Sequence, residues 1–205
     1  MRSSRFCFVV LAIVLAVTPR AFAAETTAND VVSALHASLL KVMKDAGRLG
    51  FEGRRAYLAP VVAATFDIAL IARSATGRHW KSLTEAERKS LIEKIGALTV
   101  ASYAARFDGY SGEKFRVISD KPAPRHTMFV NTEIIKSNGE PVQINYLLRS
   151  TKSGWRIVDV YLKGIYSELA LKRSEYTAVI KQRGVKGLLA AIDAKIADLA
   201  NQAPD

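Results

Sequence analysis

The sequence predicts an α+β domain: a helical first half, a twisted antiparallel sheet of about four strands, and a helical tail. Three observations carry this reading. Apolar residues recur at helical spacing through the first half of the chain. After Gly112 the period of the apolar residues changes from 3.6 to 2. The extended runs are then joined by short stretches of Pro, Asn, Ser and Gly, so that successive strands run antiparallel.

The chain opens "MRSSRFCFVVLAIVLAVTPRAFAAE". Arg2 and Arg5 form a positive start, Phe6 to Val17 an apolar run, and Ala21-Phe22-Ala23 a small-residue cleavage site, which together make residues 1–23 a secretory signal peptide. The apolar run is far shorter than the ~20 residues that span a bilayer. The single cysteine, Cys7, leaves with this leader, so the mature chain is not a disulfide scaffold. Residues 24–205 are read as one domain, since no linker divides them. Of the 30 basic residues, Arg2, Arg5 and Arg20 belong to the leader; 27 against 19 acids leave a mature charge of +8. For an exported protein this argues against nucleic acid and for anionic lipid headgroups or acidic protein surfaces, or simply for solubility.

The helices come first. In "TANDVVSALHASLLKVMKDAGRLG", Val32, Leu35, Leu39, Val42 or Met43 and Ala46 share a face, and Thr27 with Asp30 caps the start. "RRAYLAPVVAATF" predicts a second helix that Pro60 bends or ends. Asp67 stands at the N-cap of a short helix over Ile68 to Ala75, with Gly77 as its left-handed C-cap. Thr84 and Glu87 then form a capping box for a long helix carrying Leu91, Ile95, Leu98, Tyr103 and Phe107 on one side, stopped by Gly109. Four strands follow: "EKFRVIS", "TMFVNTEIIK", "VQINYLLR" and "WRIVDVYLK", with turns at Pro122 and Pro124, Ser137-Asn138-Gly139 and Lys152-Ser153-Gly154. Two helical segments close the chain, from Ile165 to Gln182 and over "VKGLLAAIDAKIADLANQ".

The last two strands place apolar residues at both parities. Val142, Ile144, Tyr146 and Leu148 face away from Leu147, and Ile157 and Tyr161 face away from Val158, Val160 and Leu162. This predicts that both faces of the sheet are covered, giving a helix-wrapped curved sheet that is either filled solid or encloses an apolar cavity.

Residues for covalent chemistry are sparse. His36, His79 and His126 have no metal-ligand spacing, and neither a G-x-S-x-G nor a phosphate or dinucleotide loop occurs, so no metal, cofactor or catalytic constellation is expected. Arg78 beside His79 is an anion site or an ordinary loop. Asp67 is already accounted for as a cap before any pairing with His79 is invoked. Asp159 shares strand parity with Trp155, Ile157 and Tyr161, so it is expected among apolar side chains. Such a carboxylate is either paired structurally with an arginine or serves as the general base of an enzyme acting on a small apolar substrate.

Several segments together resemble the MlaC, or toluene-tolerance, family of periplasmic lipid-binding proteins. They are "FDIALIARSATGRHWKSLTEAER", "YAARFDGYSGEKFRV" and "VNTEIIKSNGEPVQINYLLRSTKSGWRIVDVYLKGI". The resemblance covers residues from about 30 to 183. It rests on the order and spacing of Phe66-Asp67, Gly77 with Trp80, Tyr110-Ser111-Gly112, Val130 with Thr132, Tyr146 with Leu148, and Trp155-Arg156 with Asp159. The tail departs from the common pattern: Tyr166 intrudes, Tyr176 replaces a phenylalanine, and "SELALKRSEY" is similar to the hopanoid-associated, HpnM-like branch.

The resemblance implies a cone-shaped fold related to the NTF2-like group, with an apolar cavity for lipid tails and the headgroup at its mouth. It implies a non-enzymatic, periplasmic carrier of phospholipid or hopanoid. Such a carrier works between an outer-membrane lipoprotein complex and an inner-membrane ABC transporter. A monomer suits a shuttle that docks alternately at two membranes. On this basis Phe66, Leu70, Ile71, Leu91, Ile95, Leu98, Val100, Val130, Ile144, Tyr146, Leu148 and Ile157 are the candidate lipid-binding wall, although each also reads as ordinary core. Trp80 is expected at the base of the long helix, locking it to the sheet, with Arg78 and Lys81 at a rim or docking face.

Overall fold

The computed structural model describes residues 26–202; the expected leader and its cleavage site lie outside them. Helix α1 spans Ala28–Lys44. Its capping box forms as the sequence requires, with Thr27 N donating to Asp30 at 2.8 Å and Asp30 N to the Thr27 hydroxyl at 3.2 Å. Val32, Leu35, Leu39 and Val42 are fully buried on one face. Helix α2 spans Ala46–Thr65 and breaks at Gly50, where φ is +57°. Pro60 does not end it: Pro60 and Ala56, whose carbonyl the proline leaves free, both face solvent. The freed carbonyl is thus open to solvent.

Helix α3, Ile68–Thr76, starts at Asp67 and stops at Gly77, whose φ is +56°. A 3₁₀ turn over Gly77–Ser82 leads to the long helix α4, Glu85–Arg106, which opens on the Thr84–Glu87 capping box. Trp80 does lie at the base of α4, with Arg88 stacked over its ring at 5.6 Å. The 3₁₀ turn packs chiefly on α3 and the C-terminal helix, and Trp80 is partly buried against the core.

Five antiparallel strands follow in sequential order: β1 Lys114–Ala123, β2 Thr127–Ile135, β3 Pro141–Thr151, β4 Gly154–Leu162 and the short β5 Tyr166–Ser167. The α+β class and the meander stand as expected; β5 is additional. Pro122 lies inside β1, which tolerates it as the edge strand, and the first turn is made by Arg125 and His126, both at positive φ. The C-terminal helix α5 spans Glu168–Gln202, with a break at Gly184 (φ +66°) where the sequence divides its two helical segments. Ile165 and Tyr166 precede the helix and are exposed.

Coverage of the sheet differs from expectation. The helical core takes in Met128, Val130, Tyr146, Leu148, Trp155, Ile157 and Val160, all from one face. On the other face, Phe129 and Tyr161 stack edge to face at 5.1 Å, with Lys121 over Phe129. The mixed parity of β4 comes instead from a bulge: Leu147 pairs with Asp159 but Leu148 pairs with Ile157, leaving Val158 unpaired. Beyond the bulge the alternation is reset. Asp159 therefore does not share a face with Ile157, as simple parity had it.

Candidate functional site

The bulge and the last turns of α4 frame a cavity of about 130 Å³. Thr99, Ser102, Tyr103, Arg106 and Phe107 line it from α4, and Ile144, Tyr146, Val160 and Leu162 from the sheet. Leu169 and Lys172 come from the start of α5, and Phe66 and Ile71 close the remaining side. The wall is mostly apolar, and its charged residues are Arg106, Asp159, Glu168 and Lys172. Arg106 is exposed at the end of α4, and Lys172 and Glu168 are half-buried, so these three form a charged rim.

Behind this wall is one buried polar pair. His36 shares a hydrogen bond with the Tyr146 hydroxyl at 3.1 Å and stacks on Phe115 at a centroid distance of 4.4 Å. Burial lowers the His36 pKa to about 4, because the imidazolium loses its hydration there. Burial also raises the Tyr103 and Tyr146 hydroxyls well above the ordinary tyrosine value, so both stay neutral donors.

Asp159 is engaged on both oxygens. Its Oδ1 accepts from Val160 N at 2.8 Å and Leu169 N at 3.0 Å, and its Oδ2 accepts from the Ser167 hydroxyl at 2.6 Å. Ser167 Oγ in turn accepts from Ala170 N at 2.9 Å. The carboxylate thus satisfies free N–H groups at the start of α5, the place where negative charge is favoured. Its partners are a hydroxyl and backbone, not the arginine expected.

A second hollow, an open groove of about 640 Å³, lies beside the first. Val62, Ala63, Ile68, Ile92, Gly96, Ala97 and Val100 line it from α2, α3 and α4, and Arg149, Thr151, Ser153 and Arg156 from the β3–β4 hairpin. Asp67 also borders this groove, and its carboxylate accepts from Leu70 N and from Arg149. It is therefore committed to the cap and to the sheet. His79 is not its partner, and His79 Nε2 is buried without one.

Of the residues singled out from the sequence, Phe66, Ile71, Ile144 and Tyr146 border the cavity, and Phe66 and Val100 the groove. Leu91, Ile95, Leu98, Val130, Leu148 and Ile157 are closed into the core and border neither. Leu70 is half-buried, and Arg78 and Lys81 are exposed; these three also border neither. The stripe from Thr99 through Ser102 and Tyr103 to Arg106 was missed. Its spacing of three and four was legible, but its mixed polarity hid it beside the purely apolar Leu91–Ile95–Leu98 stripe. Leu169 and Lys172 were likewise missed, because nothing local shows which side of α5 meets the sheet. Among the described residues no group of three or more His, Cys, Asp or Glu is arranged to hold a metal ion, and no helix is long and apolar enough to cross a membrane.

No curated protein matches the chain. A solved structure does: the phospholipid-binding protein from Ralstonia solanacearum, in complex with a phospholipid. It matches with a TM-score of 0.74 at 21% identity, over 86% of this chain and 99% of that one, which establishes a shared fold. The family model for the MlaC protein matches residues 33–194, and the chain belongs to the MlaC family.

Proposed function

With that membership as the premise, we propose that the protein is a periplasmic carrier that buries phospholipid tails between its sheet and α4. The observation that carries the proposal is the cavity wall: apolar side chains from α4, β3, β4 and α5 converge beneath a rim holding Arg106 and Lys172. The phospholipid bound to the Ralstonia protein of the same fold supports it. Exposing a sixteen-carbon chain to water costs roughly 12 kcal/mol at ~0.8 kcal/mol per methylene. A dry wall answers that cost, and basic rim side chains suit a phosphate at the surface.

At about 130 Å³ the cavity is smaller than the ~300–1,000 Å³ of typical ligand sites. Loading thus requires the cavity to enlarge. The protein is exported by its leader, folds as one domain and acts as a monomer that moves lipid between outer-membrane and inner-membrane transport complexes. The "SELALKRSEY" segment supports a polycyclic hopanoid as a second cargo.

Incubation of the delipidated protein with vesicles of labelled phospholipid tests this reading. The protein is expected to extract lipid, which is recovered with its mass unchanged. Failure to extract lipid refutes carriage, and recovery of a chemically altered lipid favours an enzyme using Asp159.

A further inference from the structure

Phe66 borders both the cavity and the groove, and no other described residue borders both. It ends α2, is only 6% exposed, and meets Tyr103 edge to face at a centroid distance of 5.7 Å. Its backbone is held on both sides. Phe66 N donates to Val62 O at 2.9 Å, and the next amide, Asp67 N, donates to Ile157 O on β4, also at 2.9 Å. With the main chain held there, the side chain is the part of the partition that can rearrange. The groove that Phe66 also borders is lined in part by the small residues Ala63, Gly96 and Ala97.

We propose that Phe66 determines how much hydrocarbon the protein accepts: its ring divides the cavity from the groove, and turning it aside joins the two into one continuous slot. The proposal rests on the carrier reading above and adds a residue that sets cargo size. It follows from volume. The cavity alone, about 130 Å³, is too small for a long chain, whereas the groove at about 640 Å³ falls within the ~300–1,000 Å³ of ligand sites. A chain entering beneath the Arg106 and Lys172 rim runs into Phe66 before it can reach the groove. The size of residue 66 then selects among chain lengths, as a wall residue does in any hydrophobic pocket.

The test is native mass spectrometry of the mature protein after incubation with phosphatidylglycerol vesicles holding short, medium and long acyl chains in equal amounts. Phe66→Ala and Phe66→Leu are expected to enrich long chains by at least about three-fold over wild type, and Phe66→Trp to enrich short ones by a similar factor. Should Phe66→Ala fail to fold, the leucine and tryptophan variants carry the comparison. If wild type loads lipid and the folded variants share its chain distribution within about two-fold, Phe66 is ordinary core and this inference is overturned. If wild type itself loads nothing, the carrier reading falls, and this inference falls with it.

Discussion

Arg149 reaches from β3 to the carboxylate of Asp67, 2.5 Å away, and ties the start of α3 to the sheet. Asp67 also caps α3 by accepting from Leu70 N at 3.0 Å, so one side chain fixes both a helix start and the helix–sheet angle beside the groove. Asp67→Ala is expected to cost about 2–3 kcal/mol, the loss of a cap plus a half-buried ion pair. Arg149→Met is expected to cost about 1 kcal/mol, since its side chain remains 42% exposed. Urea unfolding of the two variants and their double mutant checks this, with a coupling of at least about 0.5 kcal/mol expected.

His36 makes stability depend on pH in a definite direction. Its pKa is lowered to about 4 in the fold against about 6.5 in the unfolded chain, so between these values the unfolded state takes up the proton first. Its contribution is complete above pH ~6.5 and is lost progressively as the pH falls to about 4, by up to about 3 kcal/mol. His36→Gln removes this term. The stability gap between wild type and the variant should therefore narrow from pH 7 to pH 4 when both are followed by denaturant unfolding.

Arg54 is 1% exposed and has no acidic partner among the described residues. Its Nε donates to Ala104 O at 2.9 Å and its Nη1 to Ala46 O at 3.2 Å, which joins the end of α4 to the start of α2. At Ala104, in the last turn of α4, helix carbonyls are free and negative potential collects. Arg54→Ala strands both carbonyls and leaves a void, at an expected cost of about 3–4 kcal/mol. Arg54→Lys, with one ammonium in place of the fork, should recover less than half of that loss. Thermal melting distinguishes the two.

Much of this fold was legible from local signals. Both capping boxes, the Gly77 stop, the division of the tail after Gln182 and the order of the strands follow from residues within a turn of one another. The bulge at Val158 was not legible, because it depends on the pairing of β4 with β3, and the sequence of β4 alone reads equally as a strand buried on both faces. The cavity was half legible for the same reason. Phe66, Ile71, Ile144 and Tyr146 stood out as apolar, but Ser102, Arg106 and Lys172 became part of a site only once α4 and α5 met over the sheet. Asp159 shows the cost of counting parity across a bulge: a residue read as the partner of an arginine or as a general base is the cap of α5.

Val160 offers a way to fill the cavity without disturbing the deep core, since it is half-buried and borders the space directly. Val160→Arg is expected to reduce lipid extraction from vesicles at least about ten-fold, because the guanidinium must either occupy the slot or lie unpaired beneath a tail. The melting temperature should fall by no more than about 4 °C. An equal loss from Arg78→Ala, remote from the cavity, would point to a docking defect instead.

The central claim is that this interior opens to hold hydrocarbon, and native mass spectrometry of the protein, gently purified from the periplasm of a host that exports it, tests it most directly. The expected spectrum shows wild type carrying a non-covalent adduct with the mass of one phospholipid or hopanoid, and Val160→Arg without it. A wild-type protein that emerges at its bare polypeptide mass, and stays at that mass after incubation with phospholipid vesicles, would contradict the account.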